Sequence, residues 1–139
     1  MDRSSENSGT VEVREAHRHV VLARQAVRKM TQELKFSLVD QTKMVTAASE
    51  LARNTLDHGG GGRVVVESIE LPERRGVRLT FEDEGPGIPD IARALQDGFT
   101  TGSGLGLGLG GAKRLTNDFN IDSAPGKGSR IMIARWKST

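Results

Sequence analysis

The sequence predicts an α+β sandwich, a mixed and largely antiparallel sheet with helices over one face. Two helical stripes of apolar residues fill the first half of the chain, at Val20, Ala23, Val27, Met30 and Leu34, then at Val45, Ala48, Ala52 and Leu56. Paired β-rich runs follow around turn residues, Val64–Leu71 with Val77–Phe81, and Ile121 with Ile131–Trp136. A length of 139 residues fits one domain, and elements in this order pack as one helical layer on one sheet.

Taken in order, residues 1–9 are small and polar and read as a disordered tail, with the domain spanning 10–139. Thr10 to Arg14 alternates through Val11 and Val13 and reads as an edge strand. The first stripe makes an amphipathic helix over 17–35. Ser37 with Asp40 three residues on is a capping box that opens a second helix over 38–57, and the glycines at 59–62 end it. Pro72-Glu73-Arg74-Arg75-Gly76 turns the first hairpin. Pro89 suits the first turn of a short helix to about Gln96. A glycine-rich loop precedes a helix over 109–117, and Pro125-Gly126-Lys127-Gly128 turns the last hairpin.

Composition narrows the function classes. Cysteine is absent, which excludes disulfides and thiolate metal sites and suits a reducing cytoplasm. No apolar run approaches the ~20 residues that cross a bilayer, so a cytoplasmic protein without a membrane partner is expected. Twenty basic against eighteen acidic residues give +2. Arg18, Arg24, Arg28 and Lys29 on the first helix read as a solvated face. Aromatics interleaved with basic residues are missing, so no nucleic acid partner is expected.

Three segments carry chemistry. Glu50 and Asn54 are four apart on the second helix and share a face. A carboxylate accepts a proton from a hydroxyl, and an amide oxygen is a hard, neutral ligand for magnesium. Asp83-Glu84-Gly85-Pro86-Gly87-Ile88 follows an apolar strand. An aspartate there can accept a hydrogen bond from an exocyclic amine, and its glycines let a flat ring lie against the backbone. Gly102-Ser103-Gly104-Leu105-Gly106-Leu107-Gly108-Leu109-Gly110-Gly111 precedes a helix. Unhindered N–H groups and a helix N-terminus together suit a polyphosphate, and leucine at every second position suits a lid rather than a linker. Gly106-x-Gly108-x-x-Gly111 matches the dinucleotide fingerprint formally, but no strand leads into it. A P-loop needs Gly-Lys-Ser/Thr, whereas Gly111 is followed by Ala112-Lys113-Arg114.

In this order the segments resemble the GHKL ATPase superfamily. Glu50-Leu-Ala-Arg-Asn54 is similar to its N box, Asp83-x-Gly85-x-Gly87 to its first glycine box and Gly104-x-Gly106-x-Gly108 to its second. Gly126-x-Gly128-Ser129 is similar to the late element that touches adenine. Ser49–Asn54, Glu82–Ile91, Asp97-Gly-Phe-Thr-Thr101 and Lys113-Arg-Leu115 further resemble the switch kinases of the bacterial stressosome, the RsbT type, which are siblings of the anti-sigma-factor kinases. The resemblance implies a Bergerat-fold sandwich, ATP and Mg2+. It also implies serine/threonine phosphorylation of STAS-domain proteins and activation of a PP2C-type phosphatase. Glu50 would be the general base and Asn54 the magnesium ligand. Asp83 and Gly87 would hold adenine, assisted by Ser129, and Gly85 and Ile88 would belong to the same nucleotide site. Thr100, Thr101, Gly104, Leu105, Gly106, Leu107, Gly108 and Leu109 would form the lid over the phosphates. The alternative is an anti-sigma factor that binds a sigma subunit and phosphorylates its antagonist.

Overall fold

The computed structural model describes residues 7–13, 16–57, 59–88, 91, 95 and 108–137. The described elements are β1 (Asn7–Val13), α1 (Ala16–Glu33), α2 (Leu38–Asp57), β2 (Gly62–Glu70), β3 (Arg75–Asp83), α3 (Gly108–Arg114), β4 (Asp118–Ser123) and β5 (Ser129–Trp136). The strands form one sheet in the order β1-β2-β3-β5-β4. Every described pairing is antiparallel, so the mixed sheet expected from sequence is antiparallel throughout among these residues. The reason lies in one connection. After β3 the chain passes through α3 to the edge strand β4, and the final hairpin reverses β5 into the place beside β3.

Boundaries differ from the expected ones by a few residues, each for a local reason. β1 begins at Asn7 because it pairs with β2 as far as Ser68, taking in three residues assigned to the tail. α1 stops at Glu33 in a Schellman motif: Phe36 N–H donates to Thr31 O, and Lys35 N–H to Gln32 O, with Lys35 left-handed at φ 63°. A non-glycine residue holds that conformation because buried Phe36 anchors the turn in the core. Ser37 Oγ accepts Asp40 N–H at 3.1 Å and starts α2 as expected. In the first hairpin Leu71 and Arg74 exchange both backbone bonds, leaving a two-residue turn at Pro72-Glu73 and strands longer than the apolar runs alone. Of the short helix expected over 89–96 only Ile91 and Leu95 are described, and Leu95 N–H donates to Ile91 O.

Alternation sorts the two faces of the sheet. Val64 and Val66, Val77, Leu79 and Phe81, and Ile131 and Ile133 face the helices and are buried with Val27, Met44, Ala48 and Leu51. Burying a large aliphatic side chain contributes about 1.5–3 kcal/mol, so this layer holds α1 and α2 on the sheet. The opposite face carries cross-strand ion pairs, Arg63 with Glu82 and Arg78 with Glu67. No described helix is long and apolar enough to cross a membrane.

Candidate functional site

Strand register places four residues in one row across the end of the sheet. Gly62 of β2 opposes Asp83 of β3, Asp83 opposes Ser129 of β5, and Ser129 opposes Ser123 of β4. Directly opposed residues share a face. Phe81, Ile131 and Ile121, two residues away in each strand, pack in the helical layer, so Asp83, Ser129 and Ser123 also point to the helix side. Glu82, one residue from Asp83, points to the other face and pairs with Arg63 at 2.8 Å.

Asp83 Oδ1 accepts the Gly85 N–H at 2.9 Å, which turns the chain sharply after β3. Its other face lies against Gly59. A Cβ built on Gly59 would collide with Asp83 Cγ and stand 2.6 Å from Oδ2. Gly85 closes on the same point, since its Cβ would stand 2.7 Å from Gly59 Cα. Gly87 has φ 82°, and a side chain there would strike the Ala124 carbonyl. The 85–88 turn is thus pressed between the end of α2 and the β4–β5 turn, with Gly126 N–H donating to Pro86 O at 2.8 Å. Around it opens a cleft of about 740 Å³ that wraps the sheet end and is lined by Gly59–Gly62, Asp83, Glu84, Ser123, Gly128 and Ser129, among others.

Glu50 and Asn54 lie one turn apart on α2, both half-buried and outside the lining of that cleft. Asn54 connects to it through the backbone, because its carbonyl accepts the Gly59 N–H at 3.4 Å. Its side-chain amide makes no hydrogen bond among the described residues. No group of three or more His, Cys, Asp or Glu among the described residues could hold a metal. The Asn54 amide oxygen is a hard, neutral donor of the kind magnesium takes beside substrate phosphates. Leu109 has its side chain in the core, and Ile88 has its N–H occupied by Ser123 Oγ at 2.8 Å. Gly108 opens α3 with φ 71°. Thr100, Thr101, Gly104, Leu105, Gly106 and Leu107 lie outside the described residues.

Two site contacts have no signal in the sequence. Gly59 reads there as the end of α2 in a glycine run, and its approach to the Asp83 carboxylate depends on tertiary packing. Ser123 carries no sequence signal, because only the β4–β5 register brings it beside Ser129.

An aspartate at the end of a central strand, glycines packed to backbone contact around it and a helix with Glu and Asn alongside define an ATPase-type nucleotide-binding domain. The family model described as histidine kinase-, DNA gyrase B-, and HSP90-like ATPase matches residues 39–139, and the chain belongs to that family. Within it, the chain is 44% identical over 117 residues to the serine/threonine-protein kinase RsbT of Bacillus subtilis, covering 84% of this chain and 88% of that protein, and falls in the RsbT-like kinase group. An anti-sigma F factor of Bacillus licheniformis is 35% identical over 123 residues, covering 84% of this chain and 83% of the relative. A crystal structure of the RsbU and RsbW domains of a Mycobacterium tuberculosis protein superposes with TM-score 0.64 at 18% identity over 96% of this chain, which spans 34% of that one. That likeness shows the shared fold.

Proposed function

We propose that the chain is an ATP-dependent serine/threonine-protein kinase that phosphorylates STAS-domain partners in partner-switching signalling and also activates a PP2C-type phosphatase. The observation that carries the reading is the row Asp83–Ser129 at the C-terminal end of α2, in a chain 44% identical to a named serine/threonine-protein kinase. Asp83 accepts from the exocyclic amine of adenine, Gly85 and Gly87 let the ring approach the backbone, and Ser129 completes the contact. Asn54 on α2 would serve the phosphate end of the nucleotide, and the segment from Thr100 to Leu109 would supply backbone N–H groups to the phosphates. The Asn54 amide oxygen would be the protein ligand to a magnesium ion, which would supply neutralisation of phosphate charge.

The chemistry asked of the protein is positioning and one proton transfer. The partner's hydroxyl oxygen attacks the γ-phosphorus, its proton passes to Glu50, and the bond to the β-phosphate oxygen breaks to release ADP. The test is incubation of the chain and labelled ATP with candidate STAS proteins. Label on a serine or threonine of the STAS protein supports the reading. ATP bound with no transfer to any of them removes the kinase assignment.

The likeness to anti-sigma F factors favours a second role, binding of a sigma subunit. A sigma factor that copurifies with the chain and is released by the phosphorylatable partner would establish it.

A further inference from the structure

We infer that Ser123 is a positioning residue that makes Ser129 a hydrogen-bond acceptor, so that the row reads both protons of an exocyclic amine. This rests on the reading that Asp83 and Ser129 face the base. A serine hydroxyl offers one proton and two acceptor sites. Ser123 Oγ accepts the Ile88 N–H at 2.8 Å, lies 3.1 Å from the Gly128 carbonyl and 3.0 Å from Ser129 Oγ. A carbonyl can only accept, and Gly128 is buried. Ser123 therefore gives its single proton to Gly128 O, which leaves that buried carbonyl partnered.

The remaining acceptor site of Ser123 then takes the proton of Ser129. All three positions on the Ser123 hydroxyl are filled, and the 85–88 turn is tied to both strands of the last hairpin. Ser129 is left with lone pairs alone toward the cleft. Asp83, one strand away in the same row, also presents only acceptors, with Oδ1 already holding the Gly85 N–H. Two acceptors side by side match an amine carrying two protons. They repel an exocyclic carbonyl oxygen at the same position, so the row selects 6-aminopurines over 6-oxopurines.

The test compares ATP with N6-methyl-ATP, whose amine has lost one proton, in the parent, Ser123→Ala, Ser123→Thr and Asp83→Asn proteins. The parent should prefer ATP by about tenfold or more, the effect of one hydrogen bond. In Ser123→Ala the Ser129 proton is released from its partner, so ATP affinity and the ATP preference should each fall by up to about tenfold. Ser123 lines the cleft, so Ser123→Cys, which keeps the volume but is a weak donor and acceptor, should lower the preference in the same way and separates the lost acceptor from relief of the methyl group. Ser123→Thr keeps the hydroxyl and should restore both values. If Asp83→Asn leaves ATP affinity unchanged, the base does not sit at this row and the underlying reading fails. If Asp83→Asn weakens ATP while Ser123→Ala keeps the parent preference, this inference alone is overturned. Should Ser123→Ala not fold, Ser123→Cys, close in size but a weak donor and acceptor, replaces it with the same two outcomes.

Discussion

Two aspartates mark two ends of this fold and are treated in opposite ways. Asp40, in the first turn of α2, is buried against Arg135, whose Nη2 and Nε both reach Asp40 Oδ1 at 2.7 and 3.1 Å. The pair is only 13% and 6% exposed, and Arg135 Nη1 also donates to Leu115 O just beyond α3. Its charge is answered inside the protein, and the result is a bolt joining α2, α3 and β5. Asp83 meets no cation among the described residues. It takes one backbone N–H and keeps its other oxygen beside the glycine cleft. A structural acid is neutralised where it stands. The acid proposed to bind is held in place by backbone and left with acceptor capacity for a ligand.

Substitutions can break that contrast. The largest expected effect on stability comes from Asp40→Ala, which leaves Arg135 buried without its partner. A loss of about 3–5 kcal/mol is expected, read as a much lower unfolding midpoint in denaturant, with ATP affinity of the folded fraction unchanged. Asp83→Asn should reverse the pattern. Losing a charge-assisted bond costs about 1.5–3 kcal/mol in ATP binding, one to two decades in Kd, while the midpoint without nucleotide barely moves. Equal effects of the two substitutions on stability would erase the distinction.

Smaller changes sharpen it. Gly59→Ala places a methyl group on the Asp83 carboxylate, and overpacking of this kind costs about 1–3 kcal/mol. Calorimetry should show both a lower melting temperature and weaker ATP binding, since the same contact shapes the fold and the cleft. The smallest effect is expected one residue from Asp83 on the opposite face. Glu82→Ala removes a solvent-facing pair with Arg63, worth about 0–1 kcal/mol, and should leave ATP affinity alone. A strong effect on ATP there would move the site around the sheet edge.

The sequence pointed to one aspartate as a candidate more readily than to the other. Asp83 was legible because a strand end and two glycines lie within five residues of it. Asp40 was legible only as a capping partner of Ser37, since its ion-pair partner is 95 residues away. The helical layer was readable from the apolar stripes. The fully antiparallel sheet was not, because the placing of β5 beside β3 depends on a connection through α3 and β4. Leu109 shows the limit of pattern reading: alternation with glycine suggested a lid, and the side chain is in the core.

The central claim is that nucleotide is held at the Asp83 row while α2 supplies the base. Glu50→Gln tests it most directly, because the amide keeps the shape and hydrogen bonding of the side chain but cannot take the proton. ATP affinity and the rate of phosphate transfer to a STAS partner should be measured on the same preparation. The account predicts parent-like ATP binding with transfer reduced by about 10²–10⁴-fold. Transfer at the parent rate would contradict it.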